Sequence, residues 1–281
     1  MKVIILAAGY ATRLEPVTQG KIAKTLLPIC AEGTKQPILY FILDKLFDYN
    51  ERFGNTIEEI NVLSNEKYAK SIKKACDEYL NGADSQIDIN VVSDGTTCKE
   101  EALGANGDLK FINDKMSRFG EDNEVLIIAG DNYFDFDLAD LIHDYYLARV
   151  NSISPITMVV SKDFPAEKRD YVHNGFAILE VDEDGRVLDM VEKPAKDGIV
   201  MDSNKGAIAV YLMDRKHLDL IDNYMETYKD NPKLRDSIGY FISYLAKNTP
   251  TYNFSFSSRF VDIGTPAEFE SMQEDNCSFG Y

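Results

Sequence analysis

Four short apolar runs in this sequence end on residues able to handle charge. Val3-Ile4-Ile5-Leu6 empties into Ala7-Ala8-Gly9, and the loop beyond carries Thr12, Arg13, Lys21 and Lys24. Val125–Ala129 ends in Gly130-Asp131-Asn132, and Val187–Val191 ends in Glu192-Lys193-Pro194. Phe260-Val261 leads into Asp262-Ile263-Gly264-Thr265-Pro266. Small residues such as Ala8 and Gly9 let backbone N–H groups approach a polyanion. An arginine can bridge two phosphate oxygens, and a lysine can neutralise developing negative charge. Arg13 and Lys24 supply those functions, with Lys21 competing for the role of Lys24. The first stretch therefore reads as a loop for a nucleoside triphosphate.

Asp131, at a strand end beside such a loop, has the character of a Mg²⁺ ligand. Mg²⁺ takes one or two carboxylates and fills its shell with water and phosphate oxygens. Asp and Asn also cap helices. Asp135 and Asp137 are better placed to cap a helix beginning near Leu138, which leaves Asp131 for the metal. Asp262 offers a second carboxylate at a strand-to-helix junction, where in isolation it would be a turn and cap. Two such aspartates near one triphosphate would complete a divalent site. Lys193 could reach a phosphate and Glu192 could accept hydrogen bonds from a polyol, or the pair is a charged turn closed by Pro194. Leu103-Gly104-Ala105-Asn106-Gly107 reads either as a tight helix entry against a ligand ring or as a loop. The three histidines, His143, His173 and His217, show no metal or triad spacing, which weighs against histidine chemistry. Neither G-x-G-x-x-G nor G-x-x-x-x-G-K-[ST] occurs, which weighs against a dinucleotide fold and a Walker loop.

The elements that must hold these residues alternate. Val3–Leu6, Ile60–Leu63, Ile87–Val92 and Val125–Ala129 read as strands. Pro37–Phe47, Glu66–Leu80 and Leu103–Phe111 have helical spacing, Pro37 suiting a first helical position. This order predicts an α/β fold, a Rossmann-like mixed and mostly parallel sheet with helices on both faces. Ligands of such sheets sit beyond the carboxyl ends of the strands, where Gly9 and Asp131 both fall. The second half is strand-rich: Ile156–Val160, Gly175–Val181, Val187–Val191, Ala207–Leu212 and Tyr252–Phe256. Asp214–Tyr228 and Asp236–Leu245 read as helices, and Thr265-Pro266 as the cap and first residue of another. No linker or repeat interrupts the chain, so the strand-rich part reads as an insertion on one core.

Composition bounds the function. The chain has 281 residues, 44% of them hydrophobic, enough for a substantial core. A net charge of −17 argues against non-specific binding to nucleic acid or to an anionic membrane. No apolar run approaches the ~18 residues of a membrane span, and the N-terminus is a poor match to a signal peptide. Cys30, Cys76, Cys98 and Cys277 form no CxxC pair. Four free thiols in a reducing cytoplasm are expected.

Together these blocks resemble the sugar-1-phosphate nucleotidyltransferases, in particular the glucose-1-phosphate thymidylyl- and uridylyltransferases. LAAGYATRLEPVT with KTLLPI, LGANGDL, GDN, VEKP, NKG and VDIGTP follow that family's order over nearly the whole chain. The resemblance implies a single nucleotidyltransferase domain over 1–281, with a nucleotide-binding half over about 1–135 and a sugar-phosphate-binding half over about 136–281. It implies that Ala8, Gly9, Thr12 and Arg13 hold the triphosphate with Lys24 beside them, and that Gly104 packs on the nucleoside. Asp131 and Asp262 would bind Mg²⁺. Gly175, Glu192, Lys193 and Asn204 would bind the sugar phosphate, and Arg13, Lys24, Asp131 and Lys193 would act in catalysis. The partners are an NTP, dTTP or UTP favoured, and a sugar 1-phosphate, glucose 1-phosphate favoured; a homo-oligomer is allowed. A catalytically idle subunit of the same fold, or an enzyme for another acceptor such as phosphocholine, are the alternatives. Three positions depart from the family pattern. Ala11 stands for a glycine, Ala23 for a proline, and Ser93-Asp94-Gly95 occupies the neighbourhood of a glutamine, followed by extra residues Thr96–Glu101. The chain ends soon after VDIGTPAEF without hexapeptide repeats, so no acetyltransferase activity is expected.

Overall fold

A computed structural model describes residues 1–54, 56–82, 87–116, 124–273 and 277 of the chain. β1 (Lys2–Ala7) is followed by α1 (Glu15–Thr18), β2 (Pro28–Ala31), β3 (Thr34–Pro37), α2 (Ile38–Phe53), β4 (Glu59–Ser64), α3 (Glu66–Gly82) and β5 (Asp88–Ser93). Next come α4 (Ala105–Lys115), β6 (Glu124–Ala129), β7 (Asn132–Phe134), α5 (Leu138–Asn151), β8 (Thr157–Asp163), α6 (Arg169–Gly175), β9 (Ala177–Val181) and β10 (Val187–Glu192). The chain continues with β11 (Lys205–Asp214), α7 (Arg215–Leu218), α8 (Ile221–Thr227), α9 (Pro232–Asp236) and α10 (Ile238–Asn248). It ends with β12 (Thr251–Phe256), β13 (Phe260–Asp262) and α11 (Pro266–Ser271). This is the expected mixed α/β fold, with extra strands in the second half. Contacts gather the chain into two compact units. The first is Lys2–Ala102, Ala129–Leu138 and Arg259–Tyr281; the second is Leu103–Ile128 and Ala139–Ser258, with Met1. Among the described residues no helix is long and apolar enough to cross a membrane.

In the first unit β1, β4 and β5 pair in parallel, with Ile4 opposite Asn61 and Ile60 opposite Ile89. Val3, Ile4 and Ile5 are fully buried, as an unbroken apolar run in a parallel strand covered on both faces requires. α3 supplies the crossover between β4 and β5 and buries Tyr68, Ile72, Ala75 and Cys76, one face at helical spacing. β7 and β13 form a short antiparallel pair with Asn132 opposite Asp262. β2 and β3 form a hairpin turned by Glu32 and Gly33, both at positive φ, as a two-residue primed turn demands. Neither β7 nor the hairpin carries a sequence signature long enough to read.

The second unit is built around β11, which pairs antiparallel with β6, β8 and β9. Its pairing with β8 slips in register between Ala207 and Tyr211, and Ala209 within the slip has φ +55°. This irregularity is where β11 exchanges β9 for β6 as its neighbour, the re-aiming that a bulge performs. β12 runs parallel to β8.

Several expectations are corrected. Cys30 and Cys277 form a disulfide, while Cys76 and Cys98 are free. The chain after α11 returns to β2, where the N–H of Cys30 donates to the carbonyl of Met272, so the two cysteines meet through tertiary structure that spacing does not encode. Gly175 closes α6, and the strand read from it begins at Ala177. The helix read over Asp214–Tyr228 is two. α7 tightens to an i→i+3 bond from Leu220 N–H to the carbonyl of His217 and stops before α8. Pro37 sits one residue ahead of the first helical position.

Gly130 shows how closely the first unit is built at the end of β1. Its N–H donates to the carbonyl of Leu6 at 2.9 Å, and a Cβ there would lie 3.0 Å from that oxygen and 3.3 Å from the Ala7 Cβ. Gly130→Ala should therefore cost about 1–3 kcal/mol of stability, read as a lower urea midpoint; an unchanged midpoint would mean that the strand end yields freely.

Candidate active site

The first unit brings Asp131 and Asp262 together. Asp131 directly precedes β7 and Asp262 ends β13, and the N–H of Ile263 donates to the Asp131 carbonyl at 3.2 Å. Lys24 serves both carboxylates. Its ammonium hydrogen-bonds Oδ2 of Asp131 and lies 3.8 Å from Oδ1 of Asp262. Lys21, the competing lysine, is exposed and does not reach them among the described ion pairs. Burial and then the like charge of Asp131 push the Asp262 carboxyl up from 3.8 to about 6, with Lys24 and Arg13 pulling the other way. Arg13 lies close: its Nη2 is 3.3 Å from the place a Cβ on Gly264 would take. The turn after Asp262 is fixed by a capping box. Thr265 Oγ1 and the Gly264 N–H donate to Glu268 Oε2 at 2.9 Å each, and the Glu268 N–H returns to Thr265 Oγ1. The cap read at Thr265 and the first helical Pro266 are both present.

The loop after β1 is held from behind. Asn65, fully buried, donates through Nδ2 to the Ala8 carbonyl at 2.8 Å and accepts from the N–H of Tyr68 at the start of α3. A Cβ on Gly9 would meet nothing within 4 Å, so this stretch of backbone is open to a ligand. Thr12 opens a 3₁₀ turn over Thr12–Leu14, and Ala11 before it has φ +51°. Tyr10 donates its hydroxyl to Thr96 Oγ1 at 2.8 Å. Sequence reading missed Asn65, Tyr10 and Thr96. For Asn65 a signal existed, an asparagine directly before a helical pattern.

In the second unit Glu192 is buried and lies over the first turn of α10. Ser237, the cap residue, donates to its Oε1 at 2.7 Å. A Cβ on Gly239 would fall 1.9 Å from its Oε2, so only glycine fits beneath that carboxylate. The positive end of the helix favours a negative charge there. Lys193 contacts the same carboxylate at 2.9 Å and has φ +48°. Strand register sets Ala177 opposite Glu192 and Ala207 opposite Ala177. These two alanines share the row of Glu192 and were not singled out from sequence. Gly175 lies at the end of α6 with open space around it. Asn204 precedes β11, where its Oδ1 lies 3.3 Å from Nε2 of His173. The register therefore does not bring Asn204 onto the Glu192 row. Gly104 has φ +75°, and a Cβ there would lie 2.8 Å from the Arg235 carbonyl oxygen, so packing on α9 already requires a glycine.

Among the described residues no group of three or more His, Cys, Asp or Glu gathers as a metal set. Two hard carboxylate oxygens, one of them on a carboxyl that burial and a like charge make costly to ionise, nevertheless fit a Mg²⁺ ion completed by water and phosphate. The Lys24 ammonium already stands between them as a cation.

A strand emptying into a loop of small residues, with an arginine, a lysine and two gathered aspartates beside it, is the equipment of a protein that handles phosphorylated ligands. The chain belongs to the Nucleotidyl transferase family, which it matches over residues 2–278. It is 25% identical over 273 residues to a UTP–glucose-1-phosphate uridylyltransferase of Synechocystis sp., covering 96% of this chain and 61% of that protein. It is 28% identical over 142 residues to a glucose-1-phosphate adenylyltransferase of Thermomicrobium roseum, covering 50% of this chain and 30% of that protein. The chain thus spans about three-fifths or less of these relatives. Its fold is that of a UTP-bound UGPase from Acinetobacter baumannii, with a TM-score of 0.67 at 14% identity over 96% of this chain and 91% of that one.

The raised Asp262 carboxyl has a consequence for stability. Below pH 3.8 the group is protonated in both the folded and unfolded chain and contributes nothing. Above about 6 it is ionised in both, and the folded state bears the cost of a half-buried charge repelled by Asp131. Asp262→Asn should therefore raise the melting temperature by a few degrees at pH 8, with the gain shrinking as pH falls towards 4. Thermal unfolding at pH 4.5 and 8 checks this; a variant less stable at pH 8 would show that the Lys24 contact outweighs the burial.

Proposed function

We propose that the protein transfers a nucleotidyl group from an NTP, dTTP or UTP favoured, to a sugar 1-phosphate, glucose 1-phosphate favoured, giving an NDP-sugar and pyrophosphate. The observation that carries this reading is the convergence of Asp131 and Asp262 on Lys24 beside the Gly9 loop, in a chain of the Nucleotidyl transferase family. In the reaction a phosphate oxygen of the sugar 1-phosphate bonds to the α-phosphorus in line, and the bond from that phosphorus to the bridging oxygen of pyrophosphate breaks. The nucleophile is already an anion, so no covalent enzyme intermediate and no general base are needed. The work of the protein is to hold two anions together and neutralise charge as it shifts onto the leaving group.

Gly9 and Thr12 offer backbone N–H groups to the triphosphate, and Arg13 takes the charge of the departing pyrophosphate. Lys24 neutralises the two aspartates in the chain alone and turns to the triphosphate when they are neutralised otherwise. Lys193 holds the attacking phosphate, and Glu192 accepts hydrogen bonds from sugar hydroxyls. Asp131 and Asp262 would hold Mg²⁺, whose contribution when bound is to neutralise phosphate oxygens.

Pyrophosphate release, measured for UTP, dTTP, GTP, CTP and ATP against hexose 1-phosphates and phosphocholine, tests the reading. Turnover of UTP or dTTP with glucose 1-phosphate is expected; release with no pair overturns nucleotidyl transfer, and a preference for phosphocholine overturns the sugar substrate. Asp131→Asn should lower kcat roughly a hundredfold or more with the thermal unfolding curve still cooperative. Gly239→Ala should displace the Glu192 carboxylate and raise KM for the sugar phosphate several-fold while leaving KM for the NTP within about twofold. Equal effects on both would remove Glu192 from sugar binding.

A further inference from the structure

The turn Leu103-Gly104-Ala105-Asn106-Gly107 has a second use inside the second unit. Asn106, in the first turn of α4, is fully buried. Its Nδ2 donates twice, to the Leu234 carbonyl at 2.8 Å and to the Ser237 carbonyl at 2.9 Å. Its Oδ1 is buried with no hydrogen-bond partner among the described residues. A buried acceptor left unpaired costs stability, and a leucine of similar size would carry no such cost. What the amide adds is the orientation of the two carbonyls.

Those carbonyls lie at the junction of α9 and α10. Ser237 both closes α9 and caps α10, in one extended residue with φ −118° and ψ 135°. A serine in that position normally accepts from an N–H of its own helix. Here it makes no such bond, and its hydroxyl donates to Glu192 Oε1 instead. α9 is only five residues long, too short to hold its own end in place. The support comes from α4 and α8. A Cβ on Gly104 would lie 3.1 Å from the Asp236 Cα, so the turn and α9 touch through backbone. The Tyr224 hydroxyl donates to the same Leu234 carbonyl at 2.8 Å. α4 is itself anchored along the face that carries Asn106. Lys110 pairs with Asp222 and Asn113 donates to Asp219 at 3.1 Å, at i+4 and i+7 from Asn106. An unbroken path of contacts thus runs from Asn106 through Ser237 to Glu192, within one unit.

Resting on the reading above that Glu192 receives the sugar, we propose that Asn106 is a positioning residue for sugar recognition. It holds the α9–α10 junction so that Ser237 keeps the Glu192 carboxylate aimed. The turn whose Gly104 is expected against the nucleoside thereby also serves the other end of the reaction.

Equilibrium binding of UDP-glucose and of UDP to the full chain and its variants tests this, because the ratio of the two affinities isolates the sugar. The wild type should bind UDP-glucose more tightly than UDP. Asn106→Leu should shrink that ratio about tenfold, the worth of one hydrogen bond to a charged group, with the Kd for UDP within about twofold. Ser237→Ala should shrink it in the same direction. The double variant should lose no more than the larger single loss, since both residues act along one path. Should Asn106→Leu fail to fold, Asn106→Ser, too short to reach both carbonyls, must show the same selective loss. An unchanged ratio in a folded Asn106 variant, equal weakening of UDP and UDP-glucose, or additive losses in the double variant would each overturn the proposal while leaving the sugar assignment standing. A wild type that binds UDP-glucose no more tightly than UDP would defeat the assignment of the sugar to Glu192, and this inference with it.

Discussion

Two carboxylates that repel each other are forced together at the end of β1, and one ammonium makes this tolerable. Backbone pairing of β7 with β13 sets Asp131 and Asp262 side by side irrespective of their charges. The raised Asp262 carboxyl records the cost. Both carboxylates are only half-buried, so they remain open to a ligand on one side. An arrangement that costs stability and is held by several independent devices is what a site for a mobile cation requires. Here the devices are a strand pair, the close crossing of Gly130 over Leu6, and the capping box on Thr265 and Glu268. Lys24 and Arg13 supply the positive charge in the chain by itself, and both are long, flexible side chains able to exchange a carboxylate for a phosphate.

The second unit shows the complementary solution for one buried acid. Glu192 is stabilised by a helix N-terminus, a serine hydroxyl and the neighbouring Lys193, and Gly239 gives it room. A carboxylate held in this way is fixed in orientation. The contrast matters: the Asp131–Asp262 pair is short of positive charge, whereas Glu192 is already supplied with it. The first arrangement has room for a further cation, and the second already holds its own.

How much of this was legible in the sequence follows from the range of the interactions. The apolar runs of β1, β4, β5 and β6 and the amphipathic face of α3 are local patterns, and they were read to within a residue or two. The Thr265 cap is likewise local. Asp131 and Asp262 could each be recognised as a carboxylate at a strand end, but their meeting depends on β7, three residues long and without periodicity. The residue types allowed it, and the order of blocks shared with a known family implied it. The Cys30–Cys277 bond and the row of Glu192, Ala177 and Ala207 are hidden for the same reason, being matters of register and chain return. Gly175 was mistaken for a strand residue because Phe176–Val181 continues an apolar run across a helix end. The choice between Lys21 and Lys24 was open in the sequence because both follow the same loop; only the turn at Lys24–Leu26 aims one of them at the aspartates.

Backbone strain marks the same places. Among the described residues, five non-glycine residues have positive φ, including Ala11 at +51° and Lys193 at +48°. A side chain in that conformation costs roughly 1–2 kcal/mol that a glycine would not. At Lys193 the strain has an evident return, since a glycine would remove the ammonium that touches Glu192. At Ala11 a glycine would be cheaper for the fold, so the methyl group must be tolerated by, or of use to, whatever meets it. Ala11 lines a small pocket together with Thr97, Cys98 and Lys99. The strain at Ala11 therefore belongs to the surface that a ligand on the loop would meet and not to the core of the first unit.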